Sequence, residues 1–138
     1  MQTFLPVPNF KRSAQILDYQ RLGKQRVEAY QILNILTGTN LNSRWKNHPI
    51  IKMWIGYNNA LGYYMNCMIK EWIKRGYKNT MKLYDLSPFQ DIKYPKWLGN
   101  NEFHASHRSN LLRKDRNYYS QFGWNEPDNL PYIWPGDL

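Results

Sequence analysis

Asp18 and Glu28 are the only acidic residues among the first 70, and both fall in one run, DYQRLGKQRVE. At the ~100° per residue of an α-helix, Asp18, Arg21, Gln25 and Glu28 lie within about 80° of arc and form a polar stripe. The same side continues into apolar Ala29, Ile32 and Leu36. A charged stripe that merges with an apolar face is partly desolvated, and carboxylates persist there when they are paired or do chemistry. In a basic cleft a lone ionised glutamate repels a phosphate backbone. Its presence is easier to account for if Glu28 moves a proton or stabilises a cation. The ordinary alternative is a surface ladder in which Glu28 pairs with Lys24 and Arg21, worth roughly a few tenths of a kcal/mol per pair.

A second cluster lies in FHASHRSNLLRKD, where His104, Arg108 and Leu111 sit on adjoining turns and His107 and Asn110 on the neighbouring strip. Two histidines at i, i+3 offer half of a tetrahedral zinc set, but no carboxylate or cysteine stands nearby to complete it, so neither metal nor cofactor is expected. Phosphate contact by His104, His107, Arg108, Arg113 and Lys114 is the reading of this segment. Tyr118, Tyr119 and Trp124 add an aromatic edge that suits nucleic acid or core equally. Phosphate-binding glycine loops, nucleophile elbows, and kinase or dinucleotide fingerprints are missing from the sequence. The amine at the N-terminus is a better nucleophile candidate. Its ordinary pKa near 8 leaves a useful neutral fraction, able to attack an aldehydic sugar carbon and form a Schiff base.

The 138 residues suffice for one domain, 1–138, and the 42% apolar and 16% aromatic content argues for a globular chain rather than a disordered tail. No apolar stretch approaches the length of a membrane span, and MQTFLPVPNF has neither the basic nor the apolar region of a signal peptide, so an intracellular protein without membrane contact is expected. The single cysteine, Cys67, rules out an internal disulfide and fits a core position. The net charge of +9 is concentrated in residues 1–70, which carry nine Lys/Arg against two acids. Such a field points to nucleic acid as the partner. No obligate protein partner is evident.

The elements that must position these groups read as all-α: a compact single domain with two long helices, a shorter third, and extended N- and C-terminal segments. Pro6 and Pro8 make the opening segment an extended arm. Ser13 is an expected N-cap for one helix from Ala14 to about Leu36, stopped at Thr37-Gly38. Residues 38–49 form a polar connection bearing Arg44, Lys46 and His48. A second long helix is expected from about Ile50 to Arg75, with Pro49 in its first turn and Gly76 at its stop. Residues 77–101 read as irregular. A third helix follows at about Phe103 to Lys114, then a short one near Asn117 to Phe122 ended by Gly123. The Pro-rich tail is expected to pack Tyr132 and Trp134 on the body.

The stretches LDYQRLGKQRVEAYQIL, NHPIIKMW, EWIKRGYKNT and HASHRSNLLRKD…YYSQFGW, in this order, resemble the phage-type endonuclease V family, small helical pyrimidine-dimer DNA glycosylases with abasic-site lyase activity. The likeness is to the wider group of relatives more than to the phage enzyme. It implies an all-α domain, a cofactor-independent reaction on damaged duplex DNA, and an N-terminal amine that attacks C1′ of the damaged nucleotide while a glutamate assists sugar opening and elimination. Glu28 matches that glutamate. Arg21 and Arg26 fall near the family's substrate-contacting basic positions. The phage enzyme exposes a threonine after methionine removal, whereas Gln2 here is too large for that processing, so Met1 carries the expected amine. A Lys nucleophile such as Lys24, a monofunctional glycosylase and a changed base specificity stay open, as does a non-catalytic nucleic-acid-binding protein that retains the fold.

Overall fold

The computed structural model describes residues 1–40, 42–89 and 91–137. Six helices follow in order: α1 Phe10–Ile16, α2 Tyr19–Leu36, α3 Pro49–Lys52, α4 Asn58–Lys74, α5 Asn101–Lys114 and α6 Arg116–Tyr119, with single 3-10 turns at Ser120–Phe122 and Pro135–Asp137. No strand is found among the described residues. The all-α reading therefore holds, and no helix of the described chain is long and apolar enough to cross a membrane.

Both long helices are shorter than their periodicity suggested. The first is broken at Leu17 and Asp18, whose backbones are extended, with ψ of 139° and 161°. Apolar spacing runs unbroken from Ile16 to Leu22, so only capping marks the break. Asn9, not Ser13, caps α1 by accepting the Arg12 N–H at 2.7 Å. Asp18 caps α2 through the Arg21 N–H. Ser13 instead turns its hydroxyl to the Val7 carbonyl at 2.9 Å. The second is interrupted at 53–57, where Gly56 takes φ +85°, a conformation a side chain would strain. Pro49 does open α3, and Gly76 with φ +92° follows α4. Among the described residues of the connection 77–100 there is no regular helix, and Gly123 closes the last turn in the left-handed region, both as expected.

α2 packs along α4, and α1 crosses α4 as well. Gly23 lets α2 approach Trp72 closely: a Cβ there would lie 2.9 Å from the indole. Gly62 of α4 similarly leaves room for the Tyr84 ring. Arg75 joins the break to the bundle, pairing with Glu71 at 2.8 Å and donating to the last-turn carbonyls of Ala14 and Gln15 at 3.1 and 3.0 Å. The core contains Leu5, Trp54, Tyr64, Phe103 and Tyr119, all fully buried, and Cys67 is buried in it as expected.

The two extended segments are held by α5. Five of its polar residues, His104, Ser106, His107, Ser109 and Asn110, are buried, which is unusual for a sequence such as HASHRSN. The cause is that they serve as a rack for backbone. Ser106, Ser109 and Asn110 bond the tail at Ile133, Pro127 and Leu130. His104, His107 and Arg108 bond the N-terminal arm. Tyr132 and Trp134 pack on the core, as the sequence suggested.

Candidate active site

Residues 2–6 are buried although they belong to no helix. Such a segment needs partners for its backbone groups, and here side chains from three helices supply them. The Phe4 N–H donates to Gln25 Oε1 at 2.8 Å, and the Phe4 carbonyl accepts from the Tyr64 hydroxyl at 2.9 Å. The Leu5 N–H donates to His107 Nδ1 at 2.9 Å, and the Leu5 carbonyl lies 2.7 Å from His104 Nδ1. Arg108 donates to the Pro6 carbonyl at 2.8 Å. Trp54 holds the Thr3 hydroxyl at 3.1 Å. The arm is thereby fixed along α2, and the Gln2 N–H reaches Glu28 Oε2 at 3.4 Å.

Beside this contact opens a cavity of about 380 Å³. Met1 and Gln2 of the arm line it, Arg21, Lys24 and Glu28 come from α2, and Lys114 and Tyr132 close the far side. The polar stripe read from the sequence is real, and its members divide the work. Asp18 is buried, caps α2, binds Arg21 at 3.3 Å and accepts the Tyr119 hydroxyl, so it is a structural carboxylate. Glu28 is only half-buried and opens on the cavity. Both its protein contacts fall on Oε2, the second being Gln25 Nε2 at 2.7 Å. Among the described residues no hydrogen bond occupies Oε1. The ladder to Lys24 is not formed, since no ion pair involves Glu28 among the described residues.

The field in the cavity is positive. Partial burial, then the charges of Arg21, Arg113 and Lys24, pull the Lys114 ammonium below the usual lysine range, with Glu28 opposing them. Burial pushes the Tyr132 hydroxyl up to about 12, against the pull of Arg113 and Arg21. An anion is favoured in such a pocket.

Of the residues singled out by sequence, Met1, Arg21, Lys24, Glu28 and Lys114 meet in this cavity. Arg26 lines an adjoining groove, where its guanidinium lies 4.3 Å over the Trp72 ring and bonds Asn79 at 2.7 Å. Arg44 and Lys46 are exposed on the connection outside the cavity, and Arg44 lies over Trp45. His48 caps α3 by accepting the Ile50 N–H at 3.0 Å, and burial followed by the positive N-terminus lowers its pKa. His104 and His107 are both buried: the two nitrogens of His104 meet the Leu5 carbonyl and the Gly99 N–H, and His107 Nδ1 accepts the Leu5 N–H. Arg108 is tied to Glu126 at 2.6 Å and to the arm, and Arg113 to the Asp128 carbonyl and to Asn110. Among the described residues no cluster of three metal-ligating side chains occurs. Gln25 and Tyr132 are the site residues that chemistry-bearing type alone did not single out. The only sequence signal was the place of Gln25 in the stripe.

The amine-bearing arm and the glutamate it lies against both fall within the first 28 residues of the chain. Over residues 1–85 the sequence matches the family described as pyrimidine dimer DNA glycosylase. The chain belongs to that family. The matched span contains the arm, Arg21, Lys24, Gln25 and Glu28, whereas Lys114 and Tyr132 lie beyond it. No curated protein and no solved structure matches the chain.

Proposed function

We propose that this member is a DNA repair glycosylase with abasic-site lyase activity, acting on pyrimidine dimers or another modified pyrimidine in duplex DNA. The observation that carries the reading is the convergence of Met1 and Glu28 on one cationic cavity. Arg21, Lys24 and Lys114 bind phosphate, and the damaged nucleotide leaves the stack to reach the cavity. The neutral α-amine of Met1 donates its lone pair to C1′. The glycosidic C1′–N bond breaks, and the base departs with that electron pair and takes up a proton. The amine then loses a proton, C1′–O4′ opens with protonation of O4′, and a cationic imine remains. Glu28 stabilises this charge and accepts the proton removed from C2′, after which the 3′ phosphate leaves by elimination. Hydrolysis of the imine restores the amine.

Borohydride reduction during reaction with ultraviolet-irradiated or abasic duplex DNA tests the reading. The expected result is a covalent adduct whose peptide map places the link on Met1. An adduct mapped to Lys24 or Lys114 would replace the nucleophile but keep the imine. Base release without any adduct would leave a monofunctional glycosylase, and the absence of both would leave a DNA-binding protein that has lost catalysis.

A further inference from the structure

Gln25 is 1% exposed, yet its carboxamide is fully engaged. Its Oε1 accepts the Phe4 N–H at 2.8 Å and lies 2.7 Å from the Tyr64 hydroxyl, whose single proton is shared between Oε1 and the Phe4 carbonyl. The Phe4 N–H fixes the amide's orientation, because an NH2 group in that place would face it donor to donor. Nε2 must therefore point the other way, where it donates to Glu28 Oε2 at 2.7 Å. The i, i+3 spacing on α2 puts the two side chains next to each other. One buried amide thus touches the arm, the core of α4 and the carboxylate.

We propose that Gln25 is a positioning residue for the reaction, coupling the register of the N-terminal arm to the orientation of Glu28. The inference rests on the reading of Glu28 and the arm as the reacting centre. A donor held against Oε2 fixes that oxygen and presents Oε1 to the cavity. The same amide, through Phe4, sets how far the arm advances toward that oxygen. Glutamine is specified by this arrangement: a glutamate has the shape but no donor, and an apolar residue would strand both the Phe4 N–H and the Tyr64 hydroxyl.

The test is Gln25→Glu, compared with the parent on abasic duplex DNA across pH. A second carboxylate at Oε2 forces the pair to share a proton, so the acidic limb of kcat should move up by at least about one pH unit. At neutral pH kcat should fall by about tenfold or more, while KM and duplex affinity stay within about threefold. A residue that only supports the fold would lower thermal stability without moving the limb. Tyr64→Phe gives a second arm should Gln25→Glu fail to fold: it frees one donor on Oε1 but leaves Glu28 its partner, and should lower kcat with little change in KM. An unmoved acidic limb in a folded Gln25→Glu protein overturns the proposal, as does unchanged kcat in Tyr64→Phe when only that variant folds. An inactive parent, by contrast, overturns the functional reading itself.

Discussion

His107 makes the stability of this protein depend on acid in a way that reports on the arm. Its Nδ1 accepts the Leu5 N–H at 2.9 Å, so the imidazole is neutral with its proton on Nε2. Full burial, reinforced by His104 and Arg108, lowers its pKa to about 3. In the unfolded chain the ordinary value near 6.5 returns. Between these limits the unfolded state binds a proton that the folded state refuses. The stabilisation is complete above about pH 6.5 and is lost progressively as pH falls toward about 3, with a slope of about 1.4 kcal/mol per pH unit. From pH 6.5 to 4.5 this single group therefore costs about 2.3 kcal/mol, a large part of the stability of a domain this size. His104, lowered by burial in the same direction, adds to the loss. Urea unfolding of the parent and of His107→Asn across this range isolates the contribution, because asparagine keeps an acceptor near the Nδ1 position and does not titrate. The variant starts lower owing to lost packing, but its profile should be flatter by about one proton's slope. Parallel profiles would refute the buried, neutral clamp.

Three further outcomes follow from the site. Glu28→Gln should lower turnover by at least about a hundredfold and leave duplex affinity unchanged or tighter, since a carboxylate that repels phosphate is removed; filter binding alongside base release checks this. Asp18→Ala removes the α2 cap, the partner of Arg21 and the acceptor of the buried Tyr119 hydroxyl, so urea unfolding should show a loss of about 2–4 kcal/mol. Lys24→Ala and Arg21→Ala should each weaken duplex binding irrespective of sequence and reduce the slope of log Kd against log salt by about one. Exposed Lys24 is the cleaner case, whereas Arg21→Ala also leaves Asp18 without its ion pair.

The sequence disclosed elements whose cause is local, and missed those whose cause is a distant segment. Pro49, Gly76 and Gly123 mark ends through backbone preference and were readable in place. The break at Leu17 and Asp18 was not, because buried Ile16 and Leu17 before the cap and buried Leu22 after it carry the apolar pattern across a single capping residue. Glu28 was legible through charge scarcity. His104 and His107 were visible as a pair but given the wrong partner, since nothing within residues 103–114 indicates that a strand-like arm from about a hundred positions earlier lies across them. Gln25 is neutral and short of chemical distinction, so its role became apparent only with Phe4 and Tyr64 in place. Tyr132 was legible as a packing residue of the tail but not as a neighbour of Glu28, from which it is 104 residues distant in sequence.

A backbone partner would have held the arm with little regard to residue type, as the strands of a sheet hold one another. Here each contact is a side chain from a different helix, with Gln25 on α2, Tyr64 on α4 and His107 on α5. The position of Met1 against Glu28 is thus specified by residue identity and exists only once all three helices have packed. No fragment holding α2 alone retains it, although α2 carries Arg21, Lys24 and Glu28. This also explains why a polar helix is buried at the centre of the fold. Side-chain acceptors and donors on α5 replace the hydrogen bonds that water would give two extended segments. An acid-poor, basic chain can then place Glu28 where the arm ends, with Arg108 and Arg113 of α5 tied to the segments that helix holds.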